Sequence, residues 1–116
     1  MKSYEESTEI EGKKITGCLI KLENATIILF DEKEEIRLGT LAAGIPDLGG
    51  EHYLTSVLLG ERNETEAKLL AERVSVLDGG MAHVSVHLEP LSGLNSLAPL
   101  MKLTTVLIEK SRKAQE

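Results

Sequence analysis

The chain has 116 residues, a mass of 12.6 kDa, and 13 basic against 19 acidic side chains for a net charge of −6. One domain spanning 1–116 fits that length, and the 41% hydrophobic content excludes a disordered chain. The acidic balance excludes a dedicated nucleic-acid binder, and the lone Cys18 excludes an intramolecular disulfide framework and fits a reducing compartment.

The opening Met1-Lys2-Ser3-Tyr4-Glu5-Glu6 is acidic and lacks the apolar centre of a secretory leader. The longest apolar run, Ile27 to Phe30, is far short of the ~20 residues that cross a bilayer. A soluble, cytoplasmic domain is the expectation, with residues 1–12 and 110–116 frayed.

From Lys14 to Leu22 both alternating sets are apolar or small, which predicts a strand. Glu23-Asn24 makes a two-residue turn into a second strand, Ala25 to Phe30. The charged stretch Asp31 to Glu35 reads as a hairpin tip, returning as a third strand from Ile36 to Leu41. Three glycines and a proline between Gly44 and Gly50 predict a loop, followed by a fourth strand from Tyr53 to Leu59. Asn63 as N-cap and Glu66 three residues on predict a capping-box start to a helix over Glu64 to Leu77. Its apolar stripe is Ala67, Leu70, Ala71, Val74 and Leu77, and Gly79 supplies the C′ position. A fifth strand covers Ala82 to Leu88. A last helix starts near Ser96, with Pro99 in its first turn and Leu97, Leu100, Met101, Leu103, Thr104, Leu107 and Ile108 as its apolar positions. The fold class is α+β: a mainly antiparallel sheet of about five strands with helices on one face.

These turns give the sheet two apolar faces. Pairing Leu22 with Ala25 and Phe30 with Ile36 gathers Ile15, Leu19, Ile28, Phe30, Ile36 and Leu38 on one side. Cys18, Ile20, Leu22, Ile27, Leu29, Arg37 and Leu41 gather on the other. Two helices cover one side only, and an antiparallel sheet that ends at water carries a polar second face. The second face therefore calls for a second protomer packed on it as a β-sandwich. About 500 Å² of apolar surface per protomer at ~25 cal/mol/Å² contributes about 12 kcal/mol before association costs.

The sequence carries no recognisable catalytic or metal-binding constellation. His83 and His87 share the i, i+4 spacing of a helical zinc pair, but on a strand their rings stand about 13 Å apart. His52 reads as a loop histidine and Cys18 as a small buried hydrophobe. Gly39 to Gly44 has the glycine spacing of a phosphate loop but lacks the Lys-Ser/Thr and the helix start. No Gly-x-Ser-x-Gly elbow occurs, and Asp31 to Glu35 lacks the spacing of a calcium loop. The expectation is a protein-binding protein, not an enzyme, with no cofactor, metal, nucleic acid or membrane partner.

Leu54-Thr55-Ser56-Val57-Leu58-Leu59-Gly60 runs into Glu61-Arg62-Asn63-Glu64-Thr65, then Ala67 to Val74, then Met81-Ala82-His83-Val84-Ser85-Val86. That order resembles the central segment of the proteasome assembly chaperone 4 family. Leu38-Gly39-Thr40-Leu41 resembles the third strand of the related chaperone 3 family, and the likeness covers roughly Ile15 to Leu107. The resemblance implies a small α+β protomer paired with itself or a related assembly chaperone. It also implies binding to proteasome α subunits and assistance to the 20S α ring without ATP. The C-terminal Ala114-Gln115-Glu116 lacks the hydrophobic-Tyr-any tail of the other assembly-chaperone class. Contact with an α subunit is assigned to loop Gly44 to His52, with Ile45, Asp47, Leu48 and His52, and to the exposed side of the last helix. The alternative is a roadblock- or longin-like dimeric scaffold of a regulatory complex, which places a helix before the sheet or among its early strands.

Overall fold

The computed structural model describes residues 2–46, 53–60, 62–89 and 97–115. Its elements run β1 (Lys2–Ile10), β2 (Lys13–Lys21), β3 (Ala25–Asp31), β4 (Thr40–Pro46), β5 (Tyr53–Leu59), α1 (Glu64–Asp78), β6 (Met81–His87) and α2 (Leu97–Ala114). Six strands form one sheet in the order β1-β2-β3-β6-β4-β5. Every neighbouring pair is antiparallel except β3 and β6. The α+β class therefore holds, with a mixed but mostly antiparallel sheet. Five strands precede α1, unlike the helix order of the roadblock- or longin-like alternative.

The β2–β3 turn has the expected register: Lys21 faces Thr26, and the Leu22 amide donates to the Ala25 carbonyl at 2.9 Å. Three sheet expectations are corrected. No hairpin joins β3 to the next strand, and Phe30 pairs with Gly17 and Val86 instead of Ile36. Parallel β6 inserts between β3 and β4, so Glu32 to Gly39 is a crossover and β4 begins at Thr40. Ile36 is half-buried and Leu38 is 60% exposed, neither of them on a strand. Second, β4 continues through Gly44 and Ile45 to Pro46. Gly44 serves a close approach here, because a Cβ on it would stand 2.6 Å from the Ala71 carbonyl oxygen of α1. Third, Lys2–Ile10 forms the edge strand β1, in which alternate residues lean on the sheet and Glu5, Glu6 and Glu9 keep the edge charged.

Both helices lie on one face, α1 over β4, β5 and β6 and α2 over β1 and β2. Ile15, Leu19, Ile28, Phe30, Val84, Val86, Leu70, Val74, Leu100, Leu107 and Ile108 close the core between them. The α1 stripe is as expected, and Gly79 at φ 74 donates its amide to the Ser75 carbonyl at 2.8 Å. The capping box is not formed. Asn63 is left-handed at φ 59, makes no side-chain cap, and turns its Oδ1 to accept the Leu88 amide at 3.3 Å. The end of α2 is helical through Ala114 because it is tied down. Ser111 is buried, Lys110 bonds Glu6 at 3.0 Å, and the Arg112 guanidinium donates to the Leu77 carbonyl.

Candidate protein interface

Side chains alternate along each strand, so the neighbours of the fully buried Leu19, Ile28, Phe30 and Val84 point away from the helices. The register aligns these neighbours in rows across the sheet. One row is Ser3, Ile20, Ile27, His83, Ala43 and Ser56, and the next is Glu5, Cys18, Leu29, Ser85 and Leu41. Both rows are apolar on β2, β3 and β4, polar at the β1 end, and carry His83 and Ser85 on β6 between them. Ile45 (45% exposed) and Leu58 (54% exposed) continue the same face on β4 and β5. A further row, Ser7, Thr16, Asp31 and His87, is polar and bounds the patch.

That polar boundary is where the crossover is anchored. Asp31, fully buried, accepts the amides of Glu32 (2.6 Å) and Arg37 (2.9 Å) and two guanidinium bonds from Arg37, each 2.9 Å. Burial alone would raise this carboxyl, but the Arg37 side chain and the surrounding amides outweigh it and hold Asp31 well below the ordinary carboxylate range. His87 Nδ1 lies 3.9 Å from the same carboxylate. Ser85 Oγ accepts the Gly39 amide at 2.8 Å, and a Cβ at Gly39 would stand 2.3 Å from the Val86 carbonyl oxygen. The crossover therefore hugs the end of β6 and covers the helix-free face at that end only. On the opposite face, burial is again outweighed at Asp78, which Lys21 (2.6 Å) and Thr26 hold below its ordinary value.

Of the residues the sequence assigns to the second face, Cys18, Ile20, Leu22, Ile27, Leu29 and Leu41 are all half-buried on or beside these rows. Arg37 is corrected: its segment is the crossover, and its guanidinium is spent on Asp31. Ile45 belongs to strand β4 and not to a loop, for the packing reason given at Gly44. Asp47, Leu48 and His52 lie outside the described residues. The Asp31–Arg37 clamp escapes sequence reading because it looks like any charged turn. Leu58 was legible, since it follows Leu54 and Ser56 at strand spacing.

Cys18 is a free thiol beside Glu5, and burial together with that negative charge pushes its pKa up, the opposite of an activated nucleophile. His83 and His87 sit on a strand, four residues apart. Among the described residues no group of three or more His, Cys, Asp and Glu is placed to hold a metal ion, and no helix is long and apolar enough to cross a membrane. The arrangement leaves an apolar surface on the helix-free face.

No family model and no curated protein matches the chain. Among solved structures, it is similar to a chain from the crystal structure of a chaperone complex for yeast 20S proteasome assembly. The likeness has a TM-score of 0.57 and 17% sequence identity, and covers 99% of this chain and 97% of that one. The two share a fold from end to end.

Proposed function

We propose that this protein is a non-enzymatic, ATP-independent chaperone of 20S proteasome assembly that binds α subunits and assists formation of the α ring. In this reading its helix-free sheet face packs on a second protomer, a copy of itself or a related assembly chaperone. The observation that carries the reading is the apolar patch of Cys18, Ile20, Ile27, Leu29 and Leu41, left without a helix on a fold shared with a 20S assembly chaperone complex. Cys18, Ile20, Leu22, Ile27, Leu29 and Leu41 then line the protomer contact. Ile45 joins that contact, and Asp47, Leu48, His52 and the outer side of α2 face the α subunit. Native mass spectrometry of the protein mixed with individual 20S α subunits tests the reading. A one-to-one or two-to-one complex with at least one α subunit is expected; no complex with any of them at micromolar concentration refutes it.

A further inference from the structure

The two edges of the sheet differ. On β1, Lys2, Glu5, Glu6 and Glu9 stand along a nine-residue strand, and charges of this kind oppose pairing with another chain. β5 carries no charge over its seven residues, Tyr-Leu-Thr-Ser-Val-Leu-Leu, a composition suited to strands. Among the described residues it pairs on one side only, with β4. Ser56 is exposed, and Leu58 and Leu59 are 54% and 46% exposed. An uncharged edge strand of this length presents unpaired N–H and C=O groups that only another extended strand can satisfy in series.

The sequence of β5 is complementary to itself. A two-fold axis at Ser56, its middle residue, is the register that overlaps all seven positions. It sets Leu54 opposite Leu58, Thr55 opposite Val57, Tyr53 opposite Leu59 and Ser56 opposite Ser56, with no like charges opposed. Such a contact is isologous and closes on itself, so it does not grow into a fibre by its own repetition. We propose that β5 pairs antiparallel with β5 of a second copy, joining two six-stranded sheets edge to edge. Directly opposed residues share a face, so both helix-free faces end on the same side and stay available. The edge contact is thus separate from the face contact of the proposed function and goes beyond it.

The test isolates the edge by first removing the face contact with Ile20→Asp, then measures mass by sedimentation across protein concentration. This single variant is expected to dimerise reversibly, toward twice 12.6 kDa. Adding Ser56→Lys, or separately Ser56→Glu, places like charges at the axis and should weaken that association roughly tenfold. Mixing the lysine and glutamate chains should restore it, which no merely structural role of Ser56 would do. An unchanged mass in either charged chain, or no recovery on mixing, overturns the proposal. So does an unchanged mass with lost capture of an α subunit, because β5 would then serve a client strand. If the face reading alone is wrong, Ile20→Asp behaves as wild type while the Ser56 pattern persists.

Discussion

On β2 and β3 both faces of this sheet are largely apolar, yet they end in different surroundings. Leu19, Ile28 and Phe30 are fully buried, while their immediate neighbours Cys18, Ile20, Ile27 and Leu29 are half-buried. Among the described residues, α1 and α2 lie on one side, and the crossover lies over one end of the other. The comparison teaches that alternation reports how apolar a face is, and the helices report which face the chain itself can cover. In the proposed function, the uncovered remainder is the surface on which a second protomer packs.

Substitutions on the two faces should separate folding from association. Phe30→Ala empties the centre of the helix-covered side and should cost about 3–5 kcal/mol of unfolding free energy, measured by denaturant titration. On the other face, Leu29→Asp should cost the protomer only about 1 kcal/mol while weakening protomer association by about a hundredfold or more. Cys18, beside Leu29 in the register, should then react faster with a thiol reagent than in the wild type. Equal protection in both proteins would erase the distinction between the faces.

Asp31 sharpens the comparison at the boundary of the helix-free side. Asp31→Asn should cost roughly 1–3 kcal/mol, since the crossover amides and Arg37 lose a charged acceptor. The folded-state pKa of Asp31 lies below its unfolded value near about 3.9, so its contribution is present above that pH and drains away as pH falls further. Stability measured from neutral to acid pH should therefore fall less steeply below about pH 4 in the variant.

Much of the fold was legible. The β2–β3 turn, β5, the α1 stripe, β6 and the start of α2 follow from local alternation, helical spacing and turn chemistry, which depend on nearby residues. Sequence expectation and structure part where distant residues decide. The parallel pairing of Ile28 with Val84 joins strands far apart in sequence, and nothing near Phe30 announces that β6 will occupy the place a hairpin would take. Gly44 looked like a turn residue, but the backbone of α1 at Ala71 requires it to be small. Charged Lys2–Ile10 resembled a loose end because its charges suit an exposed edge. At the candidate interface, Cys18, Ile20, Ile27 and Leu29 were readable from period-two alternation alone. Arg37 was not, since it belongs to a crossover folded back on Asp31, which local reading turns into a hairpin tip.

The mass of the wild-type protein in dilute solution, near about 10 µM, tests the central claim most directly. A second protomer seated on the helix-free face predicts a species of at least twice 12.6 kDa whose mass Leu29→Asp halves, with or without the β5 edge contact. A mass unaffected by that substitution, with Cys18 freely labelled in the wild type, would contradict it.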